Sequence, residues 1–257
     1  MKLNTNSNLY TFIYSAVMVI IVAVLLAVVS QALAPKQQAN ILLDKQKQIL
    51  GALKVDFSQA DPAEVYYTLV QDTIYLTGEA GLTAESDPTA EGGLTGEAGQ
   101  TSKEVYVANL NGAVKYVLPL SGKGLWGGIG GYLALDEDKN TIYGVNFNHE
   151  SETPGLGAKI VEMPFREQFE GKHIRNAAGE VVSVAVLKAG KHADGQEQVD
   201  AISGATITSA GVSTMLHEEL VNNYQEFLAG EAGLTAESDP TAEGGLTGEA
   251  GQFNTEE

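Results

Sequence analysis

The stretch "DAISGATITSAGV", Asp200 to Val212, separates two kinds of pattern in this chain. Before it lie short runs of β-branched and aromatic residues. After it, Val212, Met215, Leu216, Leu220, Tyr224 and Phe227 recur at spacings of three and four, which predicts an amphipathic helix from about Ser209 to Leu228. The stretch itself is small and hydroxyl-rich, with Ser203, Gly204, Ala205, Thr206, Thr208 and Ser209 in close succession. A tight turn feeding a helix accounts for that composition. A held anion accounts for it too. With the helix starting near Thr208 or Ser209, the Ser203–Thr206 turn sits at an N-terminus, where free N–H groups and the helix dipole favour a phosphate beside Thr206. The spacing is neither that of a P-loop nor that of a dinucleotide fold. Gly204 and Ala205 leave the Thr206 hydroxyl unshielded.

Working outward, "EVYVAN" and "AVKYVLPL" flank Asn111-Gly112, a strong hairpin signal. "GYLALD" and "TIYGVNF" flank the polar Glu137–Asn140 turn. "VYYTLV" and "TIYL", within 65–76, and "VVSVAVLK" also read as strands. A helical pattern covers Ala158–Phe169, interrupted by Pro164. Strands joined by hairpins, with a few helices, predict an α+β domain of antiparallel strands.

From Leu9 to Ala34 the chain carries no charge, and Phe12–Leu33 as a helix spans about 30 Å, one hydrocarbon core. The run far exceeds the core of a signal peptide, so Ala32-Leu33-Ala34 is not read as a cleavage site. The organisation expected is a tail (1–8), a transmembrane anchor (9–34), one soluble domain (35–229) and an acidic tail (230–257). Asn40–Val55 reads as a helical stalk or the first helix of the domain. Lysines flank the anchor on both sides, so charge alone does not orient it.

The segment "GEAGLTAESDPTAEGGLTGEAGQ" occurs twice without change, at 78–100 and 230–252. Five acids, six glycines and no aromatic ring per copy predict disorder, the first copy looping out of the β region. The two copies carry ten of the negative charges, leaving −8 of the −18 for the rest. That balance argues against nucleic-acid binding. With no cysteine there is no catalytic thiol and no cysteine-ligated cluster; four isolated histidines make no zinc motif. No metal site and no catalytic residue is assigned.

Two further glycine-rich stretches stand out. "SGKGLWGGIGGY", 121–132, holds the only tryptophan, Trp126, among glycines that let backbone approach a flat ligand; a flexible turn with a core tryptophan is the other reading. "NHESETPGLGAKI", 148–160, joins a Pro154-Gly155 turn to a helical start at Gly157. Its His149, Glu150 and Glu152 read either as acid–base or metal residues or as surface groups.

The pattern Asp200-x-x-Ser203-Gly204-Ala205-Thr206-x-Thr208 resembles the flavinylation signal of the FMN-binding domain family. "HESETPGLGAKI" resembles the same family's H-x-E-T-P-G-L-G segment. "GKGLWGGIGGYLAL" is similar to the G-x-G-L-W stretch of the family's NqrC members, which belong to Na+-translocating NADH:quinone oxidoreductases. All three occur in the family's order, and the resemblance runs from the anchor to about Leu228, excluding the repeats. It implies FMN joined through its phosphate to Thr206 by a flavin transferase. Leu125, Trp126, Thr153, Gly155, Leu156 and Gly157 are then expected around the isoalloxazine, and Ser203, Gly204, Ala205 and Thr208 on the phosphate side. Asp200 is expected to orient the turn or assist the transferase, and Lys159 and Lys188 to lie near the flavin's electron-rich edge. The resemblance further implies an electron relay among other membrane subunits in the bacterial inner membrane, with the soluble domain in the periplasm. The related RnfG protein of the ferredoxin:NAD oxidoreductase (Rnf) complex and a tethered binding module without flavin are the alternatives.

Overall fold

The computed structural model describes residues 8–77, 102–188 and 190–230. Both repeats, for which disorder was expected, lie outside them, apart from Gly230. One helix, α1 (Asn8–Ala52), covers the anchor and most of the expected stalk without a break. It is long and apolar enough to cross a membrane. Pro35 lies inside it and leaves the Gln31 carbonyl without its usual intrahelical donor. The helix nevertheless continues, so anchor and stalk form a single element rather than two.

A second difference follows α1. "VYYTLV" was expected to be extended, but Pro62–Leu69 forms α2. Asp61 accepts a hydrogen bond from the Ala63 amide at 3.1 Å, and Pro62 occupies the first turn. A good cap and a proline at the start outweigh the β preference of valine and tyrosine.

The core is an antiparallel sheet in sequence order, β1 (Val70–Thr77), β2 (Ser102–Leu110), β3 (Ala113–Lys123), β4 (Gly128–Asp136) and β5 (Ile142–His149). The expected hairpin is present: Asn111 and Gly112 both take positive φ, 52° and 90°, as a tight two-residue turn requires. Thr77 pairs directly with Ser102, so the sheet closes across the first repeat. Alternate residues serve opposite faces. Val105, Leu118, Leu133 and Leu135 point to the larger core, with Phe165, Phe169, Met215 and Leu220. Tyr106, Val117 and Ala134 point to the smaller one, against Ile49, Ala52 and Leu53 of α1.

After β5 the predicted helical stretch resolves into a 3-10 turn (Gly157–Val161), a short α3 (Met163–Arg166) and a second 3-10 turn (Glu167–Phe169). "VVSVAVLK" forms only a two-residue strand, β6 (Ala185–Val186), parallel to β7 (Gln198–Val199). The last helix begins at Thr206, two to three residues earlier than the pattern suggested. It runs as α4 (Thr206–His217), a π-helical segment (Glu218–Asn223) and α5 (Gln225–Ala229). The Tyr224 hydroxyl donates to the Pro119 carbonyl at 3.0 Å, and buried Glu219 pairs with Lys103 at 2.9 Å, which clamps this helix across the sheet.

Two directions position the site. α4 starts at the β3–β4 connection and the last helix runs back along β3, with Gly211 against the Lys123 carbonyl, Met215 against Gly122 and Tyr224 reaching Pro119. α1 runs antiparallel to β5: the Asn146 side chain donates to the Gln48 carbonyl at 3.1 Å and the Asn148 side chain donates to the Gln48 side chain, while Ala52 and Lys54 lie against Gly144. The part of α1 that precedes Gln48 therefore leaves the domain past the His149 end of β5. That is the same end of the sheet as the β3–β4 connection and the start of α4.

Candidate functional site

At this end the three glycine-rich stretches meet on one side chain, Glu152. It is buried, with 4% exposure. Its Oε1 accepts from the backbone amides of Leu125 (2.7 Å) and Trp126 (3.0 Å), and its Oε2 accepts from the Thr208 hydroxyl at 2.6 Å. The connection 123–128 is thereby held from inside. It is also closed on itself by the Gly124 amide to the Gly127 carbonyl at 2.9 Å, and Glu150 accepts from the Gly128 amide at 2.9 Å. Burial pushes the Glu152 carboxyl up. The Thr208 hydroxyl and the Trp126 and Leu125 amides outweigh that effect and hold it below the usual carboxylate range, so it is ionised at neutral pH.

Space around this carboxylate exists because of glycine. A Cβ on Gly157 would stand 2.1 Å from Glu152 Oε2 and 2.6 Å from Thr208 Oγ1. Gly157 is required by close approach, while Gly155 takes φ 77° beside the Pro154 turn. The Thr153 carbonyl accepts from the amides of Leu156 (3.1 Å) and Ala158 (3.2 Å), which shapes the Thr153–Gly157 turn.

Ile202–Ala205 is a β-turn closed by the Ala205 amide to the Ile202 carbonyl at 3.1 Å, with Gly204 at φ 79° in its third position. The Ile202 amide donates to buried Ser209 Oγ at 3.1 Å, tying the turn to the helix it feeds. Ala205 is the N-cap and offers no side-chain acceptor to the first-turn amides of α4. An anion is the natural partner for such an end. Thr206 is exposed at the first helical position, whereas Thr208 is 1% exposed and turned to Glu152. The two threonines thus have opposite environments: Thr206 is open beside Gly204 and Ala205, and what the sequence does not carry is the burial of Thr208 against Glu152.

Around this end stand apolar side chains with open faces: Trp126 (66% exposed), Ile207 (59%), Leu125 and Leu156. Leu156 packs on the turn itself, its Cδ2 2.9 Å from where a Gly204 Cβ would be. An anion seat at a helix start and exposed apolar groups on segments joined through one carboxylate suit a ligand with a phosphate and a flat ring, and FMN has both. Asp200 lies outside the Glu152 network. Its Oδ1 accepts from the Ala193 amide at 2.6 Å, its own amide donates to Gln168 at 2.8 Å, and the Ala193 bond holds its carboxyl below the usual range against burial. It braces the segment leading into the turn. Lys159 is half-buried in the 3-10 turn, and Lys188 is exposed on the β6–β7 connection. Two further residues belong here. Ile207 sits beside Thr206, and Glu152, which the sequence offers as an acid–base, metal or surface group, is the hub. Its role depends on Thr208, 56 residues away, so no local pattern discloses it.

The FMN-binding domain model matches residues 124–221, which contain every one of these groups. The chain is 30% identical over 256 residues to the NqrC protein of the Na+-translocating NADH-quinone reductase of Pseudomonas aeruginosa, covering 88% of this chain and 97% of that one. It is 30% identical over 230 residues to the corresponding protein of Haemophilus ducreyi, covering 82% and 89%. The crystal structure of the NqrC protein from Parabacteroides distasonis superposes with a TM-score of 0.64 at 40% identity, covering 76% of this chain and 96% of that chain.

Proposed function

Because this chain belongs to the NqrC family of Na+-translocating NADH-quinone reductase subunits, we propose that it is the membrane-anchored flavoprotein of such a complex, with its FMN bonded to Thr206. The observation that supports Thr206 is its exposure at the uncapped start of α4, two residues before a threonine that is already engaged. Attachment joins Thr206 Oγ to the flavin's phosphorus. The flavin-side P–O bond of the donor's pyrophosphate breaks, the other nucleotide leaves as a monophosphate with the bridging oxygen, and the hydroxyl proton goes to solvent, so the adduct weighs FMN less water. The reaction needs a flavin transferase with an activated flavin nucleotide as donor, and the open "SGAT" turn leaves room for one.

Bound FMN accepts and releases electrons; the chain's contribution is to hold and orient it. The first-turn amides of α4 receive the phosphate, with Ser203, Gly204 and Ala205 forming its turn. Leu125, Trp126, Leu156 and Ile207 cover the ring and exclude water, and Thr153, Gly155 and Gly157 shape the wall between them. Lys159 and Lys188 supply positive charge nearby. α1 leaves the domain at this same end, which would set the flavin on the side of the domain that faces the bilayer and the other membrane subunits; the periplasmic placement of the domain rests on the family resemblance. A covalent bond suits that location, because a lost flavin could not be replaced from the cytoplasm.

The test is a pair of variants co-produced with a flavin transferase and unfolded before flavin fluorescence is read. Thr206→Val is expected to carry no protein-bound flavin, and Thr208→Val to retain some. Covalent flavin on Thr206→Val contradicts the assignment.

A further inference from the structure

The Glu152 carboxylate joins two elements that are far apart in sequence, and the flavin reading above assigns it no task. It is buried and ionised, and among the described residues it forms no salt bridge: its hydrogen-bond donors are two backbone amides and one hydroxyl, and His149 adds a smaller charge effect. A charge held this way is costly to keep and is retained only when every oxygen is engaged. The donors come from the two elements that would hold opposite ends of the flavin. The Leu125 and Trp126 amides belong to the loop at the ring, and Thr208 belongs to the turn of α4 that carries Thr206.

We propose that Glu152 is a positioning residue that holds the Leu125–Trp126 loop and the Thr206 turn in one fixed relation, both while flavin is attached and while it carries electrons. This rests on the flavin reading above. Span and charge are separable. Asp is shorter by one methylene and cannot reach both sets of donors, though it keeps the charge. Gln keeps the length. Its oxygen can accept from the two amides and its NH2 can donate to Thr208 Oγ1, but the negative charge is gone.

The experiment uses the full chain in detergent with a flavin transferase and reads two quantities. These are the rate of covalent FMN addition by intact mass and the midpoint potential of the attached flavin. Glu152→Asp is expected to slow addition about tenfold, the order set by leaving buried donors unmet, with little change in potential. Glu152→Gln is expected to slow addition only about threefold and to raise the midpoint potential, because a nearby negative charge that opposes reduction is removed. Circular dichroism establishes that both variants fold. Variants that match wild type in rate and potential overturn the inference, even with a lowered melting temperature, because the carboxylate then only supports packing. A wild-type chain that takes up no FMN, with the transferase active on another substrate, overturns the flavin reading and this inference together.

Discussion

Two glutamates anchor opposite faces of the sheet, and their surroundings differ in kind. Glu152 is met by amides and a hydroxyl among glycines. Glu104 is met by Lys45 of α1 at 2.9 Å and by the Tyr106 hydroxyl, among bulky rings. Burial pushes the neighbouring Tyr132 hydroxyl up to about 12, with Glu104 adding to it, and raises Tyr106 and Tyr66 further. At the Glu104 face, large side chains and an ion pair lock the membrane helix to the domain. At the Glu152 end, side chains are small and backbone is brought close, leaving exposed surface for a ligand. The first face is built to be filled by the chain itself, the second by something else.

The largest effect that tests this contrast is steric. Gly157→Ala forces a Cβ against Glu152 and Thr208, and is expected to cost about 2–3 kcal/mol in chemical denaturation and to reduce flavin attachment sharply. A wild-type denaturation curve would mean the close approach is not required. Glu104→Gln comes next. It keeps the shape but weakens the Lys45 and Tyr106 contacts, at about 1 kcal/mol, with attachment unchanged. If flavin attachment falls as well, the two ends are coupled and the contrast fails.

Acid titration gives a smaller effect. The folded carboxyl of Glu152 lies below its ordinary value of 4.5. Its stabilisation is therefore complete above that pH and is lost as pH falls through the folded value, since the unfolded chain takes up the proton first. The stability difference between wild type and Glu152→Gln should accordingly shrink below about pH 4.5. A difference that does not change with pH there would show that the ionised form is not the stabilising one. The smallest effect is expected from replacing 78–101 by Asn-Gly. Thr77 and Ser102 are already register partners, so a two-residue turn can join them. Loss of folding or of flavin would assign the first repeat a part in the domain.

Much of the sheet was legible because its signals are local. Asn111-Gly112 fixes a hairpin, and alternation fixes which residues face each core. The elements that differed were decided by neighbours. Asp61 and Pro62 turned "VYYTLV" into a helix. α1 continued past Pro35, with its far end packed on the sheet through Ile49 and Leu53. "VVSVAVLK" is broken at Ser183, whose φ of 69° leaves the extended region: Val181 bridges Arg175 on one side of it, and only Ala185 and Val186 pair with β7 on the other. Within the site, the three motifs were readable, and so was the turn before the last helix. Thr206 was readable from the small residues before it and from the motif; the burial of Thr208, and what holds the three stretches together, depend on one long-range contact to Glu152 that no spacing rule encodes.

The most direct test of the central claim is the intact mass of the full chain in detergent, produced with a flavin transferase, followed by peptide mapping. The expected result is an increase equal to FMN less water, located on the peptide that contains Thr206. An unmodified mass, from a transferase that labels another substrate in the same preparation, or an adduct on a peptide without Thr206, would contradict it.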